Sequence, residues 1–182
     1  MSAPGRLPLS PPGLRGFTDG EVVSMIDPAD IKDFLAGTRI AVVGASDDSK
    51  SFARTIYREL RQHGYDPVAV NPNASSVDGD VCYPDLRSVP GELDGVLIMV
   101  NRRRTERVVN ECIERGVPRV WLFKGIGGAG GAVCERAVEL CRRHGIRVIA
   151  GACPMMFLEP VGGVHRFHRA VRRLNHSLAK TA

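Results

Sequence analysis

The sequence predicts an α/β fold: a doubly wound parallel sheet of about five strands in three αβα layers, with an added C-terminal helix. Three observations predict it. Short β-branched runs alternate with amphipathic helical stretches, the step from helix to strand recurs three times with the same punctuation, and two of the strands are apolar almost without interruption.

The elements follow in order. Pro28-Ala29-Asp30-Ile31-Lys32-Asp33-Phe34-Leu35 reads as a helix, with Asp27 placed to cap it and proline at its first position. The first strand spans 38 to 43 and contains Arg39-Ile40-Ala41-Val42-Val43. A helix over 51 to 63 then runs through His63-Gly64 into a strand at 67 to 71. Prolines and glycine between Val81 and Gly91 break the next segment too often for a full helix, so a short connection with one helical turn is expected. Val96-Leu97-Ile98-Met99-Val100 forms the strand at 95 to 100, and a helix over 103 to 115 leads through Arg115-Gly116 to a strand at 119 to 123. The last repeat places a helix over 129 to 144 and, after His144-Gly145, a strand at 146 to 150. Glycine suits the left-handed position that closes a helix, and Arg61, Arg115, Arg142 and Arg143 complement the negative end of the helix dipole. Those basic residues therefore have a structural reading.

At 182 residues, with 43% hydrophobic and 25% charged residues, the chain suits one well-buried domain, placed at 27–160. Prolines 4, 8, 11 and 12 and several glycines make residues 1–26 a loose N-terminal arm. Residues 161–182 form a basic helix in which Phe167, Val171, Leu174 and Leu178 share one side. No apolar run reaches the roughly 20 residues of a membrane span, and the arm carries no secretory core. The five cysteines form no C-x-x-C pair, so neither a disulfide framework nor a metal site is indicated, and a cytoplasmic setting is expected. Much of the net charge of +5 lies in the last helix.

In an open parallel sheet, ligands occupy the crevice outside the carboxyl ends of the strands. That rule gathers Gly44-Ala45-Ser46, Asn71-Pro72-Asn73, Asn101-Arg102-Arg103-Arg104, Lys124-Gly125-Ile126-Gly127-Gly128 and Gly151-Ala152-Cys153-Pro154. Gly44 ends a strand and begins a loop into a helix, whose free amides and dipole favour phosphate. Three consecutive arginines at a helix start oppose the dipole, a cost relieved by a nearby anion. Lys50, Arg54, Arg102, Arg103, Arg104 and Lys124 suit a diphosphate and a ribose phosphate. Against an NAD(P)-dependent oxidoreductase stand the incomplete G-x-G-x-x-G pattern and Asn71, where an acid would hold the ribose. A kinase-type phosphate loop, G-x-x-x-x-G-K-[ST], is absent from the sequence.

The segments Arg39-Ile-Ala-Val-Val-Gly-Ala-Ser46, Gly64-Tyr65, Val70-Asn-Pro72, Gly79, Tyr83-Pro-Asp-Leu86, Val120-Trp-Leu122, Gly125-Ile126 and Cys153-Pro154 occur in the order and spacing of the CoA-binding domain family. Over about residues 31 to 156 the chain resembles this family, and through it the Rossmann-like nucleotide-binding domain of the succinyl-CoA synthetase α subunit. The resemblance implies coenzyme A or an acyl-CoA as ligand. It implies Gly44, Ala45 and Ser46 at the phosphates, Asn71 and Pro72 at the adenosine side, and Val100, Asn101, Arg102, Phe123, Lys124, Gly125 and Ile126 completing the cleft. Many relatives carry Gln after Trp-Leu, where this sequence has Phe123 and Lys124.

The resemblance also bears on catalysis. The synthetases use a phosphorylated histidine and an ATP-binding partner supplied by other domains. Here His63 and His144 fall at helix ends and His165, His168 and His176 in the tail, so a noncatalytic CoA binder is expected. Ser46 lacks a G-x-S-x-G elbow and reads as a phosphate-binding hydroxyl. Cys153 reads first as a structural thiol, with a mixed disulfide to the pantetheine thiol as the sharper alternative. The basic C-terminal helix reads as a packing element, in this domain or between copies in a homo-oligomer. A nucleic-acid-associated protein using that helix is the disfavoured rival.

Overall fold

The computed structural model describes residues 26–125 and 131–158. In chain order the elements are α1 (Pro28–Ala36), β1 (Arg39–Val43), α2 (Phe52–Gln62), β2 (Asp66–Val70), β3 (Ser76–Val77), β4 (Asp80–Tyr83), β5 (Gly95–Ile98), α3 (Arg102–Glu114), β6 (Arg119–Leu122), α4 (Glu135–Arg143) and β7 (Arg147–Ala150), followed by a 3-10 turn at Pro154–Phe157. Between residues 28 and 150 the expected strands and long helices are present, with ends shifted by a residue or two, except that α4 begins at Glu135 rather than 129, and the single helical turn expected between Val81 and Gly91 does not form. Residues 126–130 lie outside the described residues, as do the N-terminal arm up to residue 25 and the C-terminal helix at 161–182.

The sheet has seven strands in the order β3-β4-β2-β1-β5-β6-β7, all parallel except β3. The two additional strands correct the expectation for residues 72 to 94. Val77 pairs with Asp80, which leaves Asp78-Gly79 as a two-residue loop with φ of 50° and 83°. Two positive φ values suit the turn whose twist matches paired strands, and Asp-Gly is well adapted to it. The hairpin is therefore locally encoded, and β4 then joins the sheet beside β2.

Alternate residues of each strand face opposite layers. Ala41, Val43, Val70, Val96, Ile98, Val120 and Leu122 pack with Val108, Val109 and Cys112 of α3 and Ala137, Val138 and Cys141 of α4. Ile40, Val42, Ala69, Leu97, Trp121 and Ile149 pack with Ile31 and Phe34 of α1 and with Ile56, Tyr57 and Leu60 of α2. Both faces are covered, which explains why β1 and β5 read as continuous apolar runs. Asp27 accepts the Ala29 N–H at 2.8 Å, forming the expected cap of α1.

The amino edge of the sheet is closed by ion pairs. Asp33 of α1 receives Arg119 and, at 2.7 Å, Arg147, from the first residues of β6 and β7. The Arg119 hydrogen bonds hold the Asp33 carboxyl below its usual range, with smaller help from Arg147. Asp94 accepts the Thr38 and Arg39 N–H groups at 2.7 and 2.9 Å. These contacts consume polar groups at the edge opposite the strand-end loops.

Candidate functional site

Strand polarity assembles the site. β1, β2, β5, β6 and β7 run in one direction, so the loops that follow them share one edge. Hydrogen bonding continues past the strands. The Gly44 N–H donates to the Val70 carbonyl at 2.8 Å, Met99 N–H to Val43 at 2.9 Å, Phe123 N–H to Ile98 at 3.0 Å and Gly151 N–H to Leu122 at 3.1 Å. From β1 the chain passes to β2 on one side and later to β5 on the other. Gly44 therefore stands at the reversal of strand order, where such folds open a crevice.

Gly44 has φ of +101°, and a Cβ there would sit 3.1 Å from the Met99 carbonyl oxygen and 3.3 Å from Val100 Cγ1. Glycine is required both by the backbone conformation and by the approach of β5. Ala45 is buried beyond it, and its carbonyl accepts the Asn71 Nδ2–H at 2.7 Å. Asn71 Oδ1 accepts the Asn73 N–H at 3.0 Å. The residue in the position of a ribose-binding acid thus ties the β1 loop to the β2 loop, with Pro72 exposed beside it. Ser46 is half-buried and Lys50 exposed.

The loop closes on itself before α2. Asp48 accepts the Lys50 N–H at 2.9 Å through Oδ1 and the Ser51 N–H at 2.9 Å through its carbonyl, while Ser51 Oγ caps α2 by accepting the Arg54 N–H at 3.4 Å. Arg54 is committed to carboxylates: its Nε and Nη2 donate to Asp78 Oδ1 at 3.0 and 2.7 Å, and Nη2 lies 3.6 Å from Asp47. Arg58 grips the same Asp78, at 2.6 and 2.7 Å. Hydrogen bonds from Arg58, then from Arg54, outweigh burial and lower the Asp78 carboxyl to about 2. The Asp78 N–H donates to Asp47 Oδ1 at 2.8 Å. Asp80 is held by Tyr57 and Arg61 of α2. The hairpin is stapled to both the loop and the helix.

Across the crevice the charges are open. Asn101 occupies the N-cap position of α3 without a side-chain capping bond, and Arg102, Arg103 and Arg104 are exposed. Lys124, after β6, is also exposed. Among the described residues, Lys50, these three arginines and Lys124 have no acidic partner, unlike Arg54, Arg58, Arg119 and Arg147. Val100 is half-buried, and Phe123 is buried under Phe52. Gly125 has φ of +90°, and Ile126 lies outside the described residues.

The structure brings Gly44, Ala45, Ser46, Asn71, Val100, Asn101, Arg102, Phe123 and Lys124 to one rim, with Arg54 drawn to its hairpin side. Sequence reasoning overlooked Asp47, Asp78, Phe52 and Gly131. Asp78 carried a legible signal, the Asp-Gly pair between Val77 and Val81. Gly131 carried none: a side chain there would collide with the Lys124 carbonyl oxygen, a contact made only by folding.

Cys82, Cys112, Cys134, Cys141 and Cys153 are all free. Burial drives the Cys141 thiol up to about 12 and Cys112 well above its usual range, so both are inert structural groups. His63 and His144 cap α2 and α4 as expected. Among the described residues no group of three or more His, Cys, Asp or Glu is arranged to hold a metal, and no helix is long and apolar enough to cross a membrane.

Comparison with known proteins shows what the chain is similar to. The chain is 30% identical over 119 residues to subunit alpha of the ADP-forming acetate–CoA ligase II of Pyrococcus furiosus, a match covering 63% of this chain and 26% of that subunit. It thus spans about a quarter of the length of that relative. The uncharacterized protein YneT of Bacillus subtilis is 28% identical over 126 residues, covering 69% of this chain and 89% of that protein. Among solved structures, a hypothetical protein from Pyrococcus horikoshii superposes with a TM-score of 0.67 at 27% identity, covering 74% of this chain and 91% of that one. The model of the CoA binding domain matches residues 38–159, from the start of β1 to just past the 3-10 turn, and the chain belongs to that family.

Proposed function

We propose that this chain is a noncatalytic CoA or acyl-CoA binding protein whose ligand lies along the carboxyl rim. Gly44, Ala45 and Ser46 meet the phosphates, with Lys50 beside them at the start of α2. Asn71 and Pro72 border the adenosine, while Val100, Asn101, Arg102, Phe123, Lys124, Gly125 and Ile126 line the remainder of the cleft.

The observation that carries this reading is the juxtaposition of Gly44, at the reversal of strand order, with cations after β5 and β6 that have no acidic partner among the described residues. The residues suit the ligand. Glycine bares the backbone to phosphate at the mouth of an 11-residue helix, and the open guanidinium and ammonium groups offset several negative charges. Asn71 supplies an amide already bonded to Ala45 rather than a carboxylate for a ribose diol, which weighs against NAD.

Calorimetry with CoA, acetyl-CoA, NAD, NADP and ATP tests the assignment. CoA or acetyl-CoA should bind and NAD should not. Absence of CoA binding at millimolar ligand would overturn it. The ligase relatives supply a second measurement: incubation with acetyl-CoA, ADP and phosphate should yield no ATP if the chain alone is noncatalytic.

A further inference from the structure

Side chains, not backbone, tie down the loop that carries Ser46. Gly44 still donates its N–H to the Val70 carbonyl, but among the described residues no backbone–backbone hydrogen bond joins residues 45–50 to another element. Two side-chain anchors take their place. Asn71 donates to the Ala45 carbonyl at 2.7 Å, and the Asp47 carboxylate accepts the Asp78 N–H at 2.8 Å. Ser46 lies between them. The second anchor is itself clamped: Asp78 sits in the turn of the β3–β4 hairpin, Arg54 and Arg58 of α2 both donate to its carboxylate at 2.7 Å, and its side chain is only 9% exposed.

By charge alone, an acid at position 47 is unfavourable. Asp47 and Asp48 lie just ahead of α2, where the helix dipole draws a phosphate and a second negative charge repels it. Arg54 Nη2, 3.6 Å from Asp47 Oδ1, offsets part of that repulsion, and water screens more of it at a side chain 49% exposed. What the carboxylate supplies is an acceptor for an N–H that a clamped turn holds in place.

We propose that Asp47 is a positioning residue for the ligand phosphates. Through the Asp78 N–H it fastens the loop around Ser46 to a hairpin that Arg54 and Arg58 fasten to α2, so the loop is set before the ligand arrives. This role rests on the CoA-binding reading of the rim. A loop already ordered loses less freedom on binding, and the gain in affinity comes from a turn 31 residues away that need not touch the ligand. Charge-assisted bonds from two arginines to one carboxylate suit such a clamp, since they fix geometry as well as adding energy.

The experiment is calorimetry of the full chain and its variants with CoA, at a temperature where thermal unfolding shows each to be folded. Asp47→Ala should raise the Kd about tenfold, because the ligand must then order the loop itself. Asp47→Asn keeps an oxygen for the Asp78 N–H while removing the charge, and should bind CoA at least as tightly as the parent. Charge alone gives the opposite sign for alanine, since deleting an acid beside a polyanion tightens binding. An unchanged or lower Kd for Asp47→Ala would therefore overturn the positioning role, and so would an asparagine variant as weak as the alanine one. Asp33→Asn, at the opposite edge of the sheet, reads general loosening and should leave the Kd unchanged; weakening equal to that of Asp47→Ala would also overturn the role. These three results leave CoA binding by the parent intact. Failure of the parent to bind CoA would remove the underlying function together with the inference.

Discussion

Gly44 and Met99 bring the ends of β1 and β5 so close that a Cβ on Gly44 would stand 3.1 Å from the Met99 carbonyl oxygen, on a backbone with φ of +101°. Gly44→Ala should therefore cost about 2 kcal/mol, from the strained backbone and the displaced carbonyl together. Thermal unfolding reads the loss, and calorimetry should show CoA affinity falling with it. A variant as stable as the parent would refute the close approach.

Asn71 acts as a donor to Ala45, and this sets an order among its variants. Asn71→Ala should lose about 1 kcal/mol, the net worth of a typical hydrogen bond. Asn71→Asp should lose more, because a carboxylate would face the Ala45 carbonyl oxygen that now accepts the amide at 2.7 Å. Denaturant titration of the two variants checks the order, and a stable aspartate variant would sink it.

The Asp78 carboxyl, held at about 2 instead of the ordinary 3.8, predicts a pH dependence. A depressed carboxylate stabilises the fold at pH values above its ordinary range, and that stabilisation is lost as pH falls toward 2. Asp78→Asn should lower the melting temperature at neutral pH and flatten its decline between pH 4 and pH 2. The loss at neutral pH should be about 2 kcal/mol, since Arg54 and Arg58 lose a shared ionised acceptor.

Arg102 and Lys124 are exposed and without acidic partners among the described residues, so replacing them should leave stability nearly unchanged. Arg102→Ala combined with Lys124→Ala should weaken CoA binding at least about tenfold and make it less sensitive to salt. Asp33→Asn is the complementary control. It loosens the ion pairs with Arg119 and Arg147 at the opposite edge, and should lower stability without changing CoA affinity.

Much of the architecture was legible because local physics wrote it. β1 and β5 announce burial on both faces, and Gly64, Gly116 and Gly145 end their helices with φ of 80°, 63° and 68°. The hairpin was equally local, although the prolines and glycine that follow it directed attention to turns. Arg54 illustrates the limit. Its charge and its place at the start of α2 suggested a phosphate ligand, while Asp78, 24 residues away, takes up its hydrogen bonds.

The sequence by itself determined the alternation of strands and helices, the helix ends and the residue types at each strand terminus, since these depend on neighbours a few positions apart. Tertiary structure alone decided which cations remain open and which are spent, that Phe52 meets Phe123, and that Gly131 must yield to the Lys124 carbonyl. The physical reason is range. Periodicity and capping act within a turn or two, whereas electrostatic pairing and steric contact depend on distance in space, which the order of the strands sets.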